Sequence, residues 1–97
     1  MAKRVVWTYQ AKIDRYQILT YWKKHNKSNI YSNKLNRQFN DAVKSIREYP
    51  LMNKSVSVEN VRVKIVTHFL IIYKVLKKEI VILRLWDSRR NPEELKL

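Results

Sequence analysis

The chain contains no glycine and no cysteine, and only two prolines and two histidines in 97 residues. Without glycine no loop can bring backbone N–H groups close around a phosphate, which excludes a Walker A loop, a dinucleotide fingerprint and a nucleophile elbow. Without cysteine there is no disulfide scaffold, no thiolate zinc finger and no thiol nucleophile, which fits a reducing compartment. A metal site would have to combine His25 or His68 with several of just eight carboxylates. No cofactor and no metal are therefore expected. Long apolar runs are missing too: the longest are four or five residues, far short of a membrane span, and no apolar signal segment follows the basic N-terminus.

What is present is positive charge on a foldable chain. Lys plus Arg number 21 against 8 Asp plus Glu, a net of +13, and hydrophobic residues make up 45% of the sequence. That is one small domain, residues 1–97, with enough apolar material for one core. The charge is spread, with nets of +5, +3 and +5 over residues 1–25, 26–50 and 51–97, so it is not a detachable tail. A uniformly basic globule attracts polyanions or acidic proteins and exceeds what solubility alone requires.

Lys3 to Tyr9, KRVVWTY, has the β-branched and aromatic content of a strand. The period then changes: Ile13, Tyr16, Leu19 or Thr20, and Trp22 or Lys23 recur at helical spacing, with Asn26 as a C-terminal stop. Ser28 is placed to cap a second helix, whose stripe is Tyr31, Leu35, Phe39, Ala42, Val43, Ile46 and Tyr49, ended by Pro50. The short connection at Asn26–Lys27 makes the pair an antiparallel hairpin. Residues 51–60 read as a loop or ragged edge, followed by strands Val61–Thr67, Phe69–Leu76 and Ile80–Trp86. The bends at His68 and at Lys77–Glu79 have no glycine and are expected to be wide or bulged.

The expected architecture is thus α+β, β-α-α-β-β-β, with a helical hairpin on one face of a small, mainly antiparallel twisted sheet. Strict alternation puts Val61, Val63, Ile65, Phe69, Ile71, Tyr73, Val75, Val81, Leu83 and Leu85 under the helices. The opposite face then carries Arg62, Lys64, Lys74 and Arg84 among Val66, Leu70, Ile72, Leu76, Ile80, Ile82 and Trp86. One layer of helices cannot cover both faces, so the second is expected to dock a partner, or to be closed by the C-terminal tail or a second copy.

Arg62 and Lys64 lie two apart on one strand; Arg84 can join them, and Arg89 and Arg90 follow. Such a cluster suits phosphate, since guanidinium groups bind phosphoryl oxygens in pairs and stabilise the charge of a pentavalent transition state. RNA cleavage through the 2′-hydroxyl needs only positioning, a base and such cations. For the base, Tyr73, His68, Glu59 and Asp87 are the options, and spacing selects none of them. An equally ordinary use of each arginine is a solvated or partner-paired charge.

The element order, the basic strand VRVKIV, the following FLIIYKV with its interior tyrosine, and the ending VILRLWDSRRNPEEL resemble the RelE/ParE superfamily. These are toxins of bacterial type II toxin–antitoxin modules, and the resemblance spans essentially the whole chain. It implies a cytoplasmic toxin held inactive by an acidic antitoxin, in a heterotetramer or higher assembly. RelE-type members cleave mRNA in the ribosomal A site, and ParE-type members inhibit DNA gyrase. Arg62 and Lys64 fall where RelE-like nucleases carry paired lysines, and Arg89 or Arg90 near their C-terminal arginine. Leu70, however, stands where those nucleases have an arginine, and no Tyr or His follows Tyr73 to act as acid or base. With a long hairpin of roughly 16 and 22 residues, the balance favours the ParE type. The nuclease alternative is metal-independent and uses Arg62, Lys64, Arg84, Arg89 and Arg90. The antitoxin is expected to place apolar residues on Leu70, Ile72, Ile80, Ile82 and Trp86 and carboxylates on the arginines.

Overall fold

A computed structural model describes residues 3–26 and 29–95. Strand β1 (Arg4–Trp7) leads into helices α1 (Tyr9–His25) and α2 (Ile30–Glu48). Then come a two-residue strand β2 (Lys54–Ser55) and strands β3 (Val61–Val66), β4 (Phe69–Val75) and β5 (Glu79–Asp87). They form one open sheet ordered β1-β5-β4-β3-β2, antiparallel except for the parallel pair β1–β5. The β-α-α-β-β-β order holds, with β2 as a short addition at the edge. The expected cap Ser28 and the Lys27 side of the connection lie outside the described residues. Thr8 joins three elements. Its Oγ1 accepts from the Ala11 N–H at 3.1 Å to cap α1, donates to the Leu83 carbonyl at 3.0 Å, and its own N–H bonds to Ile82 O at 3.0 Å.

The core between helices and sheet contains Leu35, Phe39, Ala42 and Ile46 of α2, Ala11 of α1, and Phe69, Ile71, Tyr73, Ile80, Ile82 and Leu85 of the sheet. The α2 stripe matches its sequence pattern. That of α1 does not: the inward residues are Ala11 and Asp14, with Ile18 and Trp22 half-buried beside them, while Tyr16 is exposed. Asp14 takes the inward position because it is paired across the core edge, and the helix rotates accordingly.

The alternation of β3 is also opposite to expectation. The β3–β4 hairpin closes on Thr67–His68 with Val66 opposite Phe69, a two-residue turn that pairs every odd residue with an even one. Arg62, Lys64 and Val66 therefore share the helix side with Tyr73, Ile71 and Phe69, and Val61 and Val63 go to the other face. The turn is tight, not wide. In place of glycine, Thr67 takes a positive φ of 58° and Asn60, in the loop before β3, one of 63°; for a β-branched residue such a conformation costs on the order of 1–2 kcal/mol.

The irregularity expected at the bends lies inside the strand instead. Tyr73 pairs with Ile82 but Ile72 with Arg84, so Leu83 is an extra residue, a β-bulge. The bulge changes parity in mid-strand. Ile80 and Ile82 before it and Leu85 after it all face the helices, which strict alternation cannot achieve.

The outer face is partly covered by the chain itself, although Ile65, opposite Leu70, stays exposed. Val61, Ile72 and Trp86 are buried there, packed by Val56, Val63, Leu70, Leu83 and Leu95. Of the expected coverings, the C-terminal segment supplies Leu95, after the turn at Pro92–Glu94.

Candidate interaction surfaces

Four of the five basic residues expected to form one phosphate site are tied to separate partners, although Arg84 and Arg90 lie 5.2 and 4.2 Å over the same Trp86 ring. Arg62 donates through Nη1 to the carbonyls of Asn53 at 2.7 Å and Leu51 at 3.2 Å, tying down the loop after α2. The same loop is held by buried Tyr73, whose hydroxyl donates to Pro50 O at 2.8 Å and accepts from Asn53 Nδ2 at 3.1 Å. Burial raises the Tyr73 pKa above its usual value, and both hydrogen bonds of its hydroxyl go to the loop after α2. Lys64 is half-buried opposite Ile71.

Arg84 turns at the bulge toward α1. Its Nε meets Asp14 Oδ2 at 2.8 Å and its Nη2 meets Oδ1 at 3.1 Å, while the Leu85 N–H donates to the same carboxylate at 3.1 Å. With side-chain exposures of 13% and 3%, this ion pair sits out of solvent. These bonds, with a further one from Gln10 Nε2 at 3.1 Å, converge on a carboxylate that sequence reasoning passed over. The signal was available: Asp14 is the sole acidic residue in α1.

Arg89 and Arg90, adjacent in sequence, both line the groove beside α1 but lie over different rings. Arg89 lies over the Trp22 ring of α1, 5.7 Å from its centroid, and bonds to Asp87 at 2.7 and 3.0 Å. Those bonds hold the Asp87 carboxyl below the usual carboxylate range. Arg90 stacks at 4.2 Å on Trp86, in the outer cluster, and bonds to Glu94. Arg62 pairs with Tyr73 whereas Asp87 pairs with Phe69, four residues along the same strand, which puts the two ends of the expected cluster about 13 Å apart along the sheet. Of the other base options, Glu59 is exposed in the loop before β3 and His68 is in the β3–β4 turn, packed 4.2 Å from Phe69. The His68 Nε2 is buried with no hydrogen-bond partner among the described residues.

The expected docking residues also divide. Ile80 and Ile82 are fully buried under the helices and form no part of the outer face. Ile72 and Trp86 are on that face but 2% exposed beneath the chain's own covering, and Leu70 is half-buried beside them. One apolar concavity that stays open is a groove of about 380 Å³ between α1 and the end of β5, lined by Ile18, Trp22, Phe69 and Leu85 together with Arg89 and Arg90. No metal-competent cluster of His, Cys, Asp or Glu occurs among the described residues, and none of their helices is long and apolar enough to cross a membrane.

A sequence profile for the ParE toxin of the type II toxin–antitoxin system parDE matches residues 5–92. No curated protein matches the sequence. Among solved structures, the fold is similar to a chain of the chromosomal ParDE system from P. aeruginosa, with TM-score 0.77 at 21% identity, covering 91% of this chain and 98% of that one. It is less similar to a chain of the E. coli DinJ–YafQ toxin–antitoxin complex, with TM-score 0.58 at 11% identity, covering 90% and 93%.

Proposed function

Since the chain belongs to the ParE toxin family of type II toxin–antitoxin systems, we propose that it is a cytoplasmic toxin that inhibits DNA gyrase by protein–protein contact and is neutralised by an acidic antitoxin. The observation that carries this reading over a nuclease is the internal commitment of the arginines. Arg62 holds a loop, Arg84 a buried carboxylate, and Arg89 and Arg90 are paired with Asp87 and Glu94. A metal-independent ribonuclease needs several cations and a base converging on one phosphate. Here the candidate cations and bases are distributed over both ends of the sheet.

The antitoxin is expected to fill the α1–β5 groove with an apolar side chain and to place carboxylates at Arg89 and Arg90, replacing the weak exposed pairs with Asp87 and Glu94. Leu70 remains its contact on the outer face. Ile72 and Ile82 are too buried for substitutions there to report on binding alone.

A supercoiling assay with purified gyrase and antitoxin-free toxin tests the target. Inhibition at micromolar toxin, relieved by the antitoxin, is expected; normal supercoiling rejects gyrase as the target. Primer extension on translated mRNA distinguishes the alternative: A-site cuts lost on combining Arg62→Ala with Lys64→Ala would favour the ribonuclease.

A further inference from the structure

The α1–β5 groove lies at the end of β5; at the start of that strand, three separate segments bring cations to one corner of the sheet. The Lys3 ammonium, just before β1, donates to the carbonyls of Leu76 at 2.6 Å and Lys77 at 2.8 Å, closing over the β4–β5 connection. The Arg4 N–H bonds to Lys78 O at 3.3 Å. Arg47, in the last turn of α2, donates through Nε to Lys3 O at 3.2 Å. Lys77 and Lys78 are exposed in the connection itself. Five cations from distant parts of the chain are thus gathered and linked through the backbone.

Their partners set them apart from the arginines at the other end of β5. Arg84, Arg89 and Arg90 each face a carboxylate. Lys3 and Arg47 bond instead to neutral carbonyls, which order the side chain and leave its charge uncancelled. Arg4 pairs with Glu79, but its side chain is 79% exposed, where solvent and salt weaken such a pair. Glu48, the other carboxylate of these segments, is exposed and in no ion pair among the described residues. Five cations against two carboxylates leave a net of +3. None of the exposed large apolar side chains belongs to residues 3–4, 47–48 or 76–79.

We propose that this corner, built from Lys3, Arg4, Arg47, Lys77 and Lys78, binds the phosphate backbone of a double-stranded nucleic acid. A protein partner would need apolar side chains to bury at the centre of its contact, and the corner exposes none. A single strand would need a run of aromatic platforms for its bases. The one exposed ring near these residues in sequence is Tyr49, just beyond α2, too little for successive stacking. A duplex backbone asks only for ordered cations in water, and contacts of that kind read no base sequence. Strand β5 runs from Glu79 to Asp87, about 27 Å. A duplex at its start leaves the groove at its end open, so the inference does not rest on where the antitoxin binds or on which target the toxin has.

The test uses the full chain and short fluorescein-labelled duplexes of mixed sequence, one DNA and one RNA, with anisotropy read across a salt series. Saturable binding that ignores base sequence and weakens steeply with salt is expected, and the two arms report which duplex is held more tightly. Lys77→Gln with Lys78→Gln should weaken binding about tenfold and reduce the slope of log affinity against log salt by about two. Lys23→Gln with Lys24→Gln removes the same charge from the last turn of α1 and should change the affinity little. All four lysines are exposed, so circular dichroism and the urea midpoint should match the parent in both variants. Equal weakening by the two pairs would reduce the attraction to net charge and overturn the proposal. Tighter binding of an oligo-dT strand than of either duplex, selectivity for one base sequence, or amide shifts centred on the α1–β5 groove would overturn it as well.

Discussion

Helix α2 turns Leu35, Phe39, Ala42 and Ile46 into the core and leaves its charged residues in water, whereas α1 turns a carboxylate inward and leaves Tyr9 and Tyr16 outside. The difference is one of partners. The residues of α2 bury themselves against β3 and the middle of the sheet by apolar contact alone, a non-directional requirement. α1 crosses the end of β5, where the bulge turns Arg84 toward it; a buried guanidinium demands a carboxylate at hydrogen-bonding distance, and that directional requirement fixes the rotation of the helix. An interaction of this kind contributes orientation more than net stability.

The sharpest way to break the contrast is Asp14→Ala. It removes the carboxylate that faces the Arg84 guanidinium in a site with little solvent, together with the acceptor of the Leu85 N–H, and should cost about 3–5 kcal/mol, read from urea denaturation. Asp14→Leu combined with Arg84→Met should recover most of that loss; if it does not, the carboxylate matters for more than the pair. On α2, Ile46→Ala should cost about 3 kcal/mol through a simple cavity, and no second-site change is expected to rescue it.

Smaller effects sharpen the comparison at the helix ends. The exit of α2 is fixed by the Tyr73 hydroxyl on Pro50, so Tyr73→Phe should cost about 1 kcal/mol and raise amide exchange at residues 50–53. The last turn of α1 is met by Arg89 over Trp22, with Asp87 holding Arg89. The folded Asp87 pKa lies below the ordinary carboxylate value, so its contribution is present above about pH 4 and is lost as pH falls through the folded value. Asp87→Asn should flatten that part of the acid dependence of the urea midpoint by lowering the neutral-pH midpoint slightly. Least of all, Tyr16→Ser should move stability by no more than about 0.5 kcal/mol, since the side chain is outside the core; a larger loss would mean that the exposed stripe supports the fold.

Much of this was legible beforehand. The element order, the α2 stripe and the family resemblance rest on periodicity and composition, which act locally along the chain. The faces of β3 and of the first half of β5 were not legible, for a definite reason. A two-residue turn at Thr67–His68, in a chain without glycine, reverses the parity across the hairpin, and a bulge at Leu83 reverses it again within a strand. Each event moves every subsequent side chain to the other face, so Ile80 and Ile82 were assigned to a surface on which they do not lie. The partners of the basic residues were not legible either: Arg89 lies over Trp22 and Arg90 over Trp86, contacts that sequence adjacency does not reveal.

By itself the sequence determined that this is a small, basic, α+β chain without phosphate loops or thiols, because those properties follow from composition and period. The tertiary structure alone decided which cations are free and which apolar residues are exposed. Both depend on pairing across distant segments: Arg84 with Asp14 seventy residues away, Tyr73 with the loop after α2, and Leu95 over Trp86.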